Sequence, residues 1–131
     1  MLEVALFLPW LFFVFAGAFD WGHYAYALIS VQSAARAAAL YTSSSAGTAA
    51  DAGGACAYAL AELRRASNVG GAVSSCAAWP LRVTAEGIAG ADGAPASSVT
   101  VSYRTPRLIP IPGLLPGRLT VTRTVQMRVR G

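Results

Sequence analysis

Apolar positions fall into three regimes along this chain. From Val4 to Phe19 sixteen residues carry no charge, and the bulky ones (Leu6, Phe7, Trp10, Leu11, Phe13, Val14, Phe15) surround a helix on all sides. From Tyr24 to Leu40 the pattern is amphipathic: Tyr24, Leu28, Val31 and Ala35 share one stripe at helical spacing, beside the more polar Gln32 and Arg36. From Leu81 onward it alternates with period two. Leu81, Val83 and Ala85 share a face; so do Val99, Val101 and Tyr103, and then Leu119, Val121, Arg123, Val125, Met127 and Val129. Arg123 breaks the apolar phase, so a bulge or an exposed edge is expected there.

The first two regimes predict one long helix. Between Leu2 and Tyr41 there is one proline, Pro9, and two glycines, Gly17 and Gly22. Such a helix is about 60 Å long at 1.5 Å per residue, and a bilayer core is roughly 30 Å. The front half therefore fits lipid while the rear half stands clear. "TSSSAGTAADAGG" (Thr42 to Gly54) ends the helix as a loop. A short helix is expected at about Ala55 to Ala66, with Tyr58, Leu60 and Leu63 on its apolar side and Glu62, Arg64 and Arg65 on its wet side. "SNVGGAVSS" (Ser67 to Ser75) breaks it. The turns "GADGAP" (Gly90 to Pro95) and "PRLIPIPGLLPG" (Pro106 to Gly117) separate three strands. The expected fold is α+β: a stem, residues 1–41, and a head, residues 42–131, in which an antiparallel three-stranded meander is faced by the short helix and the rear of the long one.

Composition sharpens this. The 131 residues are 55% hydrophobic and 12% charged, too apolar for a disordered chain. The net charge is +4, and every basic residue is Arg. Seven of the ten lie between Arg82 and Arg130, interleaved with Val and Thr rather than gathered with aromatics. That pattern argues for a solvated strand face and against a nucleic-acid partner. Cys56 and Cys76 form an even pair in a chain with a membrane or export signal, which points to an oxidising compartment and a Cys56–Cys76 disulfide. With one His and two Cys, no Cys/His zinc site is available, and no cofactor is expected. His23 and Trp21 read as interfacial side chains. Asp20 reads as a cap for the rear helix or a marker of where the stem leaves lipid. The Ala-rich run "SAARAAAL" (Ser33 to Leu40) offers either a close helix-packing ridge, centred on Ala35 and Ala38, or simply good helix propensity.

The order of these features is familiar. Glu3, "VALFL", Pro9, "WLFFVFAGAF", "DWG" (Asp20 to Gly22) and "QSAARAAAL" resemble the TadE-like family of pilin-like proteins from tight-adherence (Tad) systems. The tail, two strands around a proline-containing apolar loop, resembles the family's ending. Glu3 stands third here, where the family carries its acid fifth after cleavage. The resemblance implies processing by a prepilin peptidase and residence in the bacterial inner membrane. The pilus assembly machinery then draws the protein into a cell-surface filament of identical subunits. It also implies that Glu3 meets the N-terminal ammonium of a neighbouring subunit. An unpaired buried carboxylate is costly and an ion pair recovers much of that, so the acid sets register. Pro9 lacks an N–H, so it either kinks the stem where it packs or is simply tolerated, as prolines are in membrane helices.

Three other readings compete. A cleaved secretory signal would use "AGA" (Ala16 to Ala18), but Glu3 replaces the usual basic residue and the helical pattern runs through that site. A single-span anchored protein that never polymerises shares every stem feature. An enzyme is disfavoured: the acids are scattered, no glycine-rich phosphate loop follows a strand, and Ser43 to Ser45 have no partner base.

Overall fold

A computed structural model of the chain describes residues 2–66, 73–106 and 118–130. Among the described residues two helices precede three strands: α1 (Leu2–Thr42), α2 (Ala52–Arg65), β1 (Leu81–Ala89), β2 (Pro95–Arg104) and β3 (Thr120–Arg128). The fold is α+β. At 41 residues, α1 is about 62 Å long. It runs on through Pro9 and through Asp20, so Asp20 is a mid-helix residue and caps nothing. The long proline-rich connection expected between β2 and β3 lies, apart from Pro106, outside the described residues, as does most of the break after α2.

The sheet has the order β1-β2-β3, antiparallel throughout. Leu81 pairs with Tyr103 at one end and Ala89 with Pro95 at the other, while Ala96 pairs with Arg128 and Arg104 with Thr120. Register is unbroken across Arg123, which pairs with Val101. Of the two outcomes expected at Arg123, exposure on an edge strand is the one observed. β2 starts at Pro95, whose missing N–H is tolerated at the first residue of a strand. The β1–β2 turn closes with Gly90 N–H donating to Ala94 O at 2.7 Å, and Gly93 takes φ 75°, a left-handed conformation natural to glycine.

One face of the sheet packs on the helices. Val31, Ala34, Ala35, Ala38 and Ala39 of α1, Ala55, Ala59 and Leu63 of α2, and Leu81, Val83, Val99, Val101, Tyr103 and Val121 of the sheet form the core. Small helix residues let α1 lie close to large strand residues. The rear of α1 thus belongs to the head's packing unit, although the helix itself ends at Thr42. Ala35 and Ala38 are 0% exposed inside this core. The close-packing ridge offered by Ala35 and Ala38 is spent within the chain's own core.

α2 starts three residues earlier than expected, because Asp51 caps it: its Oδ1 accepts from Gly54 N–H at 3.0 Å. Tyr58 does not join the core. It is half exposed and stacks on Tyr41, with ring centroids 4.8 Å apart. Cys56 and Cys76 are disulfide-bonded, tying α2 to the segment leading into β1.

The ends of the sheet are fixed relative to α1. Ser97 Oγ donates to Ala49 O at 3.0 Å, and Arg130 N–H donates to Ser43 O at 2.9 Å, so the Pro95–Ser97 end lies at the C-terminal end of α1. From Ser97 to Tyr103 the strand descends about 20 Å, equivalent to about 13 residues of helix. Arg123, which pairs with Val101 two residues short of the Tyr103–Val121 end, lines a groove with Leu28 to Arg36 of α1, which places that end of the sheet toward the stem. Consistently, Tyr24 and Leu28 are the α1 side chains nearest the stem that still pack on the core.

Candidate functional site

The front of α1 carries the largest anomaly in the molecule. Leu6, Phe7, Trp10, Leu11, Phe13, Val14 and Phe15 are each between 52% and 75% exposed. With Val4, Leu8, Phe12 and Phe19 they make eleven large apolar side chains left uncovered between Val4 and Phe19. Burying one such side chain fully is worth about 1.5–3 kcal/mol. Covering eleven even in part exceeds about 10 kcal/mol, the whole stability of a typical domain. Water is therefore not the resting environment of this segment. Among the described residues, α1 is the helix long and apolar enough to cross a membrane. Glu3 sits in its first turn and is exposed, where a carboxylate complements the free N–H groups and positive end of the helix. Trp21 packs edge-on to Tyr24 at 6.1 Å, and Phe19 lies 6.0 Å from His23, so an aromatic collar marks the end of the bare segment.

Further along α1, the side facing away from the head is not polar throughout. Ile29 is 67% exposed and Leu40 60%, with Ser33 and Arg36 between them at helical spacing. Beside this stripe, Leu28, Ile29, Gln32, Ser33 and Arg36 meet Arg123 of β3 in an open groove of about 330 Å³. Arg123, the residue out of phase in the strand, thus reaches the flank of α1. The sequence pointed to Ala35 and Ala38 as a possible packing ridge and did not single out Ile29 and Leu40, the exposed apolar residues of this part of the helix. The signal was present: Ala35 already shared the stripe of Val31, the core stripe, and Ile29, Arg36 and Leu40 fall on the opposite side of the same wheel.

At the distal end, Tyr41 and Asp51 lock the helix-to-helix joint. Tyr41 Oη donates to Asp51 Oδ2 at 2.8 Å. The Gly54 N–H bond, then the Tyr41 hydroxyl, hold the Asp51 carboxyl below the usual aspartate range. The same hydroxyl bond to Asp51 raises Tyr41. A Cβ at Gly54 would collide with the Tyr41 ring, so glycine is required for this close approach.

A third feature lies on the sheet's outer face. Arg104 and Arg82 place their guanidinium carbons 4.1 and 5.1 Å from the Trp79 ring centroid. Alternation along the strands suggested arginines apart from aromatics; the structure corrects this for these two. Trp79 comes from outside the strands, which is why strand periodicity did not reveal it. Among the described residues no group of three or more His, Cys, Asp or Glu could hold a metal ion.

This geometry defines a class: a stem-and-head protein whose long apolar helix runs out of a small α+β head with its front half uncovered. Within that class the stem is specific, because residues 1–40 match the family model described as TadE-like protein. The match covers Glu3, Pro9, the bare apolar band and the Ala-rich run, the front features of the sequence resemblance, and does not extend to the tail. The TadE-like family is associated with Tad pili, and the matched helix is long and apolar enough to cross a membrane. No curated protein and no solved structure matches the chain.

Proposed function

We propose that this chain is a structural subunit of an extracellular pilus-like filament, held in the inner membrane by its stem before assembly. The observation that carries this reading is the uncovered apolar band on a TadE-like stem. Lipid covers it first, and the stems of identical subunits cover it afterwards, an exchange between two apolar environments that is nearly neutral. Selectivity then rests on polar and shaped features. Glu3 pairs with the N-terminal ammonium of a neighbour, and Pro9 relaxes the stem where it packs. The outer stripe of Ile29, Arg36 and Leu40, rather than Ala35 and Ala38, continues the contact above the membrane. A prepilin peptidase and the pilus assembly machinery act before this step.

The anchored, non-polymerising reading shares the stem and the family match, and one experiment separates the two. Cells making the full chain are sheared, and the released material is compared with the detergent-extracted membrane fraction. A filament subunit appears in the sheared fraction as filaments in micrographs; a monomeric anchor stays wholly with the membrane. Glu3→Ala should move the protein into the membrane fraction while its head stays folded by circular dichroism. Normal filament yield from Glu3→Ala would remove the pairing argument.

A further inference from the structure

The Trp79, Arg82 and Arg104 cluster has a position as well as a chemistry. Its strand residues belong to the end of the sheet that faces the stem: Arg82 follows Leu81 and Arg104 follows Tyr103, whose backbones pair. That end lies toward the stem, by the groove that Arg123 shares with Leu28 of α1. The aromatic collar of Phe19, Trp21 and Tyr24 lies only about 6–14 Å nearer the membrane at 1.5 Å per residue. An arginine side chain spans much of that distance, and the headgroup layer is itself about 5–7 Å thick. The outer face is turned away from α1, so a bilayer around the bare segment of the stem would lie beneath the cluster.

The cluster is also held rigidly. Cys76 is fixed to α2 by the disulfide, Val83 N–H donates to Cys76 O at 3.2 Å, and Arg104 N–H donates to Pro80 O at 2.8 Å. Trp79 is therefore pinned on both sides. It is 38% exposed. Two guanidiniums on one indole repel each other, yet among the described residues neither has a carboxylate within ion-pair distance; the ion pairs present are Arg65–Glu62 and Arg128–Asp92. Stacking on an aromatic face leaves a guanidinium's in-plane N–H donors available. Such a pair is matched by a shared oxyanion, and tryptophan is the side chain most at home at a membrane interface.

We propose that Trp79, Arg82 and Arg104 form a clamp for the phosphate of an anionic phospholipid headgroup, which docks the head on the bilayer surface before assembly. The clamp fixes which side of the head faces lipid. It leaves the Ile29–Leu40 stripe, on the other side of α1, open to an incoming subunit. This inference rests on the stem spanning the membrane, as in the reading above, and its test separates the two.

The full chain is placed in nanodiscs of phosphatidylcholine, alone or mixed with phosphatidylglycerol. Variants retain one tryptophan each: Trp79 (with Trp10→Phe and Trp21→Phe) or Trp10 (with Trp21→Phe and Trp79→Phe). Nitroxide labels on headgroups or acyl chains report depth by quenching. Trp10 should be quenched by acyl-chain labels in both discs, which reports the stem alone. Trp79 should be quenched by headgroup labels, more strongly with phosphatidylglycerol, and less as salt rises. Arg82→Gln with Arg104→Gln should lower the docked-to-free ratio by about thirtyfold, from about fivefold for each arginine near an anionic surface. Circular dichroism checks that the double variant is folded. If Trp10 is quenched but Trp79 is not, or if Trp79 quenching ignores both the lipid charge and the arginines, the clamp is wrong while the spanning stem stands. If Trp10 escapes the acyl-chain labels, the spanning reading fails and the clamp fails with it.

Discussion

The two halves of α1 treat side-chain bulk in opposite ways. In the front half, Phe7, Trp10, Phe13 and Phe15 are more than half exposed. In the rear half, Ala34, Ala35, Ala38 and Ala39 are 0% exposed. The difference teaches that bulk does not decide burial within a subunit. Bulky residues surround the front on every side, a surface that the small head leaves uncovered. Alanines at the rear allow a sheet of Val, Leu and Tyr to approach the helix closely, so that thin side chains on one element meet thick ones on the other.

The largest test of this contrast removes the tie that holds the head together. Cys56 and Cys76 are 20 residues apart, and closing a loop of that size is worth about 3 kcal/mol in the chain-entropy model. Cys56→Ser with Cys76→Ser should lower the denaturant midpoint of the head strongly. The front of α1 should keep its helicity in detergent. If both halves lose structure together, the stem depends on the head more than its lack of contacts implies.

Next in size is overpacking. Ala38→Leu should cost about 1–3 kcal/mol of head stability, the usual range for extra methylenes in a filled core. Chemical denaturation of the full chain in detergent measures it. An unchanged midpoint would mean that the rear helix is not seated on the sheet as described, and would return Ala38 to the subunit surface.

A smaller effect is expected at the joint where α1 hands over to α2. Asp51→Ala removes the cap to Gly54 and the acceptor for Tyr41, and should lower the melting midpoint at neutral pH. The sign of its pH dependence follows from the depressed carboxyl. The folded state binds the proton less readily than the unfolded state. The native contribution is therefore fully present above the ordinary aspartate value of about 4, and it is lost as pH falls below that through the lower folded value. Wild type and variant should converge in acid; a difference that grows there would contradict the carboxylate's role. Gly54→Ala, which presses on the Tyr41 ring and so disturbs its bond to Asp51, should act in the same direction with a weaker pH dependence.

The smallest effect belongs to the front half. Phe13→Leu keeps the stem apolar and touches none of the core, so head stability should change by less than about 0.5 kcal/mol. A larger loss would mean that the bare band contacts the head after all.

Much of this was legible from pattern alone. Period two placed all three strands, with β1 at its observed limits, and a helical period placed α1 and its core stripe. Those signals are local, because a strand or helix repeats its burial along itself. The bare band and Glu3 were equally legible, since an uncharged bulky run behind an acid needs no tertiary context to be unusual. Cys56 and Cys76 were the only two cysteines, which left one pairing within the chain. The start of α2 was missed by three residues because its small glycine- and alanine-rich first turn resembles a loop, and only the Asp51 cap identifies it as helix.

What the sequence determined, then, was the set of elements and which side of each is apolar, because those follow from side-chain period and from the cost of exposing apolar surface. Tertiary structure decided what each apolar side meets. It sent Ala35 and Ala38 to the sheet rather than to a neighbour, and left Ile29 and Leu40 outside. It turned Tyr58 from the core to a stack on Tyr41. It also brought Trp79, from an irregular segment, onto arginines of two different strands. The physical reason is that these outcomes depend on contacts between residues far apart in the chain, which no local period encodes.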